Sequence, residues 1–215
     1  MKIGILGTGI VGKTIGTKLI QLGHEVKMGS RTANNEKAAT WVGEAGAKAS
    51  QGTFADAATF GEIIFVCTSG GGTVDAVTMA GPKNFASKTV IDVSNPLDFS
   101  KGMPPSLTIS NTDSLSEHVQ SALPEAHVVK SLNIVTCFIM VDPKQLSGSA
   151  TMFVCGNDAN AKSQTTELLN QFGWEDIIDL GDITNARGME MLLPLWVRTY
   201  GALKDGMFGF KIVRM

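Results

Sequence analysis

Gly7-Thr8-Gly9-Ile10-Val11-Gly12 fits the pattern G-x-G-x-x-G. Glycines in turns are common, so the pattern gains meaning from its flanks. An apolar run, Lys2 to Leu6, precedes it, and Val11, Ile15, Leu19 and Leu22 follow at helical spacing. Between a strand and a helix each glycine has a task. Gly7 permits the tight turn, Gly9 removes a Cβ so that backbone can approach a pyrophosphate, and Gly12 lets the helix pack closely on the strand. The helix start adds free N–H groups and positive dipole charge. The pattern predicts a dinucleotide site; the alternative is a tight turn without a ligand.

The type of dinucleotide is read about 20 residues further on, where an NAD site usually carries an acid for the ribose hydroxyls. The second strand ends instead in Gly29-Ser30-Arg31-Thr32. Ser30 and Thr32 can donate hydrogen bonds, and Arg31 can pair with a 2′-phosphate or stack on adenine. Lys37 is a further cation. This predicts NADP(H) over NAD(H); otherwise Arg31 is a solvated loop charge.

Ligands of open α/β sheets bind at the carboxyl ends of the strands, so three more strand ends matter. Cys67-Thr68-Ser69-Gly70-Gly71-Gly72 is small and polar, suited to lie against the cofactor ribose or diphosphate, or to be a flexible loop. Ser94-Asn95-Pro96 offers a hydroxyl and an amide to the nicotinamide half, with Asp92 as a structural strand-end residue. Asn133-Ile134-Val135 should face the nicotinamide ring. No catalytic acid or base stands out. His24, His118 and His127 fall away from strand carboxyl ends, and Tyr200, the single tyrosine, belongs to no Ser-Tyr-x-x-x-Lys set. A dehydrogenase of alcohols needs a proton donor; transfer to a conjugated carrier needs mainly two rings held face to face.

The elements that must position these residues alternate along the chain. Expected strands are Lys2–Leu6, Glu25–Met28, a short one near Lys48–Ala49, Glu62–Cys67, Lys88–Val93, Ala126–Leu132, Thr151–Cys155 and Asp176–Leu180. Expected helices follow Gly9, cover 34–45 and 53–60, start at a Ser114/Glu117 capping box, and present Ala161, Thr165, Leu168, Leu169 and Phe172 on one face before Gly173. A Met- and Leu-rich helix interrupted by Pro194 comes last, and 98–112 reads as a surface loop. The near-continuous apolar strands suit a parallel sheet covered on both faces. The fold class is therefore α/β, a Rossmann-type doubly wound, mainly parallel sheet with a small C-terminal helical extension. We divide it into a nucleotide-binding domain, 1–135, and a C-terminal α/β extension, 136–215.

The totals bound the rest. The 215 residues are 43% hydrophobic and 18% charged, enough for a sizeable core, and the net charge of -2 argues against a nucleic-acid partner. No apolar run approaches a membrane span, and the start lacks a signal-peptide pattern. Cys67, Cys137 and Cys155 form no CxxC pair and read as reduced thiols of a cytoplasmic protein, neither disulfide frame nor metal site.

With these residues in place, the chain resembles the F420-dependent NADP oxidoreductases over nearly its whole length. The carrying segments are GILGTGIVG, the GSRT turn, VIDVSNPL, and the late run FVCGNDANAK…FGW…DLGDITNARGMEMLLPLW. The same architecture, with a GSR turn and a DVSN stretch, occurs in the cytosolic domain of STEAP-type metalloreductases. The resemblance implies direct hydride exchange between NADP(H) and coenzyme F420 or a flavin-like acceptor, with no protein-bound metal, and a homodimer formed through the C-terminal part. It implies that Thr8, Gly9, Ile10, Val11, Ser30, Arg31 and Thr32 hold NADP and that Ser94, Asn95 and Pro96 lie by the nicotinamide half. Asn133, Ile134 and Val135 would border the acceptor pocket, with Leu193, Pro194 and Trp196 as further wall residues, although core or dimer packing is the plainer reading of those three. Two other functions compete: a dehydrogenase of small metabolites, for which Lys130 is the one tempting acid or base, and an NADPH-sensing module without turnover.

Overall fold

The computed structural model describes Met1 to Met215. Ten strands and nine α-helices follow one another: β1 (Lys2–Leu6), α1 (Ile10–Gln21), β2 (Glu25–Ser30), α2 (Glu36–Ala45), β3 (Ala49–Thr53), α3 (Phe54–Phe60), β4 (Ile63–Val66), α4 (Thr73–Met79), β5 (Thr89–Asp92), β6 (Leu97–Asp98), β7 (Ser106–Leu107), α5 (Leu115–Ala122), β8 (His127–Ser131), α6 (Cys137–Val141), β9 (Thr151–Gly156), α7 (Ala159–Phe172), β10 (Asp176–Asp179), α8 (Ala186–Met191) and α9 (Leu193–Leu203). Eight strands form one sheet in the order β10-β9-β8-β5-β4-β1-β2-β3. The sheet is parallel from β3 to β8, whereas β9 runs antiparallel to β8 and β10 runs parallel to β9. Strand order reverses between β1 and β4, which is where such folds bind ligands.

The sheet is buried on both faces because its strands alternate apolar side chains. Ile3, Ile5, Val26, Met28, Phe65 and Ile91 pack with α1, α2, α6 and α7. Leu6, Ile64, Val66, Val90 and Val128 pack with α3, α4 and α5 on the other side. The predicted stripe of α7 is buried at all five positions, and Gly173 closes the helix in the left-handed conformation.

Several boundaries differ from expectation for local reasons. Asn35 and Thr53 are N-caps, their side chains accepting from Ala38 and Asp56 N–H, so α2 and α3 begin one residue after each. The Ser114 hydroxyl does accept from Glu117 N–H, but Asp113 takes the Ser114 N–H and Glu117 is drawn to Arg187, so the capping box is not reciprocal. The segment 98–112 is not wholly loop: β6 and β7 pair as a small antiparallel hairpin. The late helix is two, with Pro194 in the first turn of α9, the position that tolerates a missing N–H. No helix is long and apolar enough to cross a membrane.

Candidate active site

The carboxyl ends of β1, β2 and β4 open onto a cleft of about 790 Å³. Gly7, Thr8, Gly9, Ser30, Arg31, Thr32, Cys67, Thr68 and Ser69 line it together. Gly7 holds φ at +124°, and a Cβ there would lie 2.6 Å from the Cys67 carbonyl oxygen. A Cβ on Gly12 would lie 2.4 Å from the Gly7 carbonyl oxygen, so α1 closes directly on the turn. Gly9, by contrast, faces open space with nothing within 4 Å of a Cβ. It is the N-cap of α1, and no side chain caps that helix, so the first-turn amides are left for an outside acceptor. Ile10 is exposed and Val11 half-buried in that first turn; Gly12 is buried.

The turn after β2 carries the second set of groups. Ser30 is buried and its hydroxyl donates to the Thr32 carbonyl oxygen at 2.5 Å, which shapes the turn. Arg31 and Thr32 are exposed on the cleft side. Arg31 enters none of the molecule's ion pairs. Lys37 sits exposed on α2 and does not line the cleft.

Gly72, at the end of the predicted Cys67–Gly72 loop, is in the lining as well; sequence reasoning missed Asn35, Phe54, Asp75, Ala76 and Met79, which complete it. Asp75, Ala76 and Met79 belong to α4, and a helix that follows a central strand end is a position the topology itself nominates. Cys67 is a wall residue and no nucleophile: burial, reinforced by the Asp92 charge, pushes its thiol well above the usual range. Cys155 is pushed up to about 12, again mainly by burial.

The remaining predicted residues lie apart from this cleft's lining. The Ser94 hydroxyl turns inward and donates to Asp92 Oδ1 at 2.6 Å, as does its N–H at 2.9 Å. Asn95 and Asn133 form a reciprocal pair across the ends of β5 and β8: Asn95 Nδ2 donates to the Asn133 carbonyl at 2.9 Å, and Asn133 Nδ2 donates to Asn95 Oδ1 at 2.9 Å and to the Met189 carbonyl at 3.0 Å. These bonds fix which end of the Asn133 amide is nitrogen. They leave Oδ1 of this 2%-exposed residue without a partner. Pro96 is buried beside Asn95. Ile134 and Val135 are buried in the core and offer little open surface. Leu193 is buried; Pro194 and Trp196 are half-buried. The Trp196 ring stacks on Tyr200 (5.8 Å between centroids) and Phe208 (5.2 Å), so its first role is to hold the C-terminal segment to α9.

Lys130 does point into the protein. Its ammonium lies 3.1 Å from Asp92 Oδ2 and 3.1 Å from Glu190 Oε1, all three side chains being almost wholly buried. Burial alone would lower its pKa; the two carboxylates more than offset that and hold it above the ordinary lysine value. A lysine so held is not a general base at neutral pH.

Comparison with known proteins agrees with this geometry. Residues 2–96 match the family model described as NADP oxidoreductase, coenzyme F420-dependent. A solved structure from Arthrobacter sp. FB24, described as a putative F420-dependent NADP reductase, is 47% identical, covers 100% of both chains and superposes with a TM-score of 0.95. The F420-dependent NADP reductase of Methanocaldococcus jannaschii is 28% identical over 161 residues, 74% of this chain and 71% of that one. Metalloreductase STEAP3 of Rattus norvegicus is 28% identical over 201 residues, 91% of this chain; the chain spans only 38% of that protein's length. The chain belongs to the F420-dependent NADP oxidoreductase family.

Proposed function

We propose that the cleft holds NADP(H) with its diphosphate on the glycine turn, its 2′-phosphate on Ser30–Thr32 and its nicotinamide half toward Ser94–Pro96. On this reading the hydride acceptor, F420 or a flavin-like ring, meets it on the Asn133–Val135 side. The observation that carries the cofactor reading is the exposed, unpaired Arg31 at the end of a strand that bears no acid. The open space at Gly9 and the uncapped start of α1 fit a diphosphate. When bound, the nicotinamide supplies a hydride donor or acceptor. The chain's own part is to bind and orient: Arg31 and Thr32 grip one end, the α1 amides the middle. The orphan Asn133 Oδ1 is an acceptor for a ring-bound N–H. The metabolite-dehydrogenase reading loses its one acid–base candidate, because Lys130 is locked between two carboxylates.

Residues 1–135 thus hold the nucleotide and 136–215 cover the acceptor side, within one shared sheet. Leu195, Leu203 and Val213 are exposed at the C-terminal end and support a homodimer formed there. The three buried free thiols suit a reducing, cytoplasmic setting.

The test is to mix the protein with NADPH and oxidised F420, with FMN and NADH as parallel arms, following both chromophores. NADPH-specific reduction of F420 supports the full reading. No turnover of either acceptor, with NADPH bound, overturns the acceptor assignment and leaves the nucleotide assignment standing. Asn133→Ala should lower turnover roughly tenfold, the cost of one polar contact to a ring, and leave the NADPH Kd within about twofold.

A further inference from the structure

Asp92, Lys130 and Glu190 form a buried cluster with more negative than positive charge. Asp92 accepts hydrogen bonds from the Ser94 N–H and hydroxyl, from the Ser116 hydroxyl at 2.5 Å and from Lys130. Glu190 accepts from the Leu115 N–H at 2.8 Å, from the Ser116 N–H at 3.2 Å and from Lys130. Lys130 also donates to the Ser94 carbonyl oxygen, and the Ser116 hydroxyl lies between the two carboxylates. Two carboxylates thus face one ammonium, so the cluster has a formal charge of -1 shielded from water. The N-terminus of α5 offsets part of it. The neighbouring Arg187 is neutralised by Glu117.

We propose that this buried negative charge sets the redox poise of the bound nucleotide, favouring the oxidised, positively charged nicotinamide and so making the reduced form a stronger hydride donor. The inference rests on the reading above, in which the nicotinamide half lies toward Ser94–Pro96, and it adds a preferred direction to that reading. The geometry places the charge where it can act. Asp92 bonds both the N–H and the hydroxyl of Ser94, so its carboxylate lies directly beneath that turn. Its charge already reaches the cleft wall, where it acts on Cys67. The phosphates are the same in both redox forms, so the ring's single charge is what the cluster can distinguish.

The experiment measures the Kd of NADP⁺ and of NADPH by calorimetry in the wild-type chain, in Glu190→Gln and in Asp92→Asn. Each variant removes one negative charge and keeps the side-chain shape. The ratio Kd(NADP⁺)/Kd(NADPH) should rise roughly fivefold to twentyfold, the scale of one unit charge acting on another across a partly buried site. At about 30 mV per tenfold for a two-electron couple, the potential of the bound couple then rises by about 20–40 mV. An unchanged ratio in a folded variant, or equal weakening of both nucleotides, overturns the proposal. If neither variant folds, the wild-type chain decides: NADP⁺ must bind at least as tightly as NADPH, and tighter NADPH binding overturns it. Failure of the wild-type chain to bind either nucleotide would instead overturn the underlying cofactor reading.

Discussion

The two ends of the proposed active site are built on opposite plans. At the nucleotide end, polar groups are left waiting: Arg31 has no ion-pair partner, the first turn of α1 has no cap, and Gly9 looks onto open space. At the acceptor end nearly every polar group is already satisfied within the protein. Asp92, Ser94, Asn95, Ser116, Lys130 and Glu190 bond one another or backbone, and Asn133 keeps one free oxygen. The first plan recognises a ligand through charge and many hydrogen bonds. The second offers shape, a fixed field and one contact. Specificity for the nucleotide should therefore be steep, and selectivity for the acceptor ring comparatively shallow.

Substitutions can break this contrast at either end. The largest effect is expected from Lys130→Met, which strands two buried carboxylates; losing one partner of a buried pair costs about 3–5 kcal/mol, read as a fall in urea-unfolding free energy. Gly9→Val should leave that free energy within about 1 kcal/mol, because nothing meets its Cβ and φ is -75°. It should still weaken NADPH more than about a hundredfold by filling the space for the diphosphate, an effect beyond the ~1.4 kcal/mol that makes tenfold. Arg31→Ala should lower the NADPH-over-NADH preference by roughly tenfold to a hundredfold, the worth of a charge-assisted hydrogen bond. Equal weakening of the two nucleotides would refute the 2′-phosphate role.

The smallest effect lies between the two ends, at Arg187–Glu117. Arg187's hydrogen bonds hold the Glu117 carboxyl below its ordinary value. A lowered folded-state pKa gives stability that is present above the unfolded value and lost as pH falls through the lowered one. The pair is partly exposed, so about 0.5–1 kcal/mol is expected. Unfolding titrations from pH 7 to pH 3 should lose that amount in the wild type and not in Glu117→Gln.

The nucleotide end was legible in the sequence because its signals are local. The glycine spacing, the helical period after it and the missing acid after β2 all fall within the first 32 residues, and the structure collects them into one cleft. The acceptor end was less legible because it is assembled from afar. Lys130 stood out as a charge in an apolar strand, but its partners are 38 positions away at Asp92 and, from a different helix, at Glu190. Nothing in the run Gly188-Met-Glu-Met191 marks Glu190 as buried. The inward turn of the Ser94 hydroxyl likewise depends on Asp92, two residues before it in sequence but opposite in role. The hairpin in 98–112 escaped because two-residue strands carry no periodicity to read.

The reversed direction of β9 and β10 has a consequence for how the protein comes into being. Because these strands run against the rest of the sheet, the chain leaves β10 at the edge opposite the cleft and must travel back through α8 to deliver Glu190 and the Met189 carbonyl. Both reach partners more than 50 positions earlier in the chain. During synthesis every residue that lines the cleft, from Gly7 to Met79, therefore emerges before Met189 and Glu190 do. A chain cut short before residue 186 would lack the groups that hold the Leu115 and Ser116 amides and the side-chain amide of Asn133.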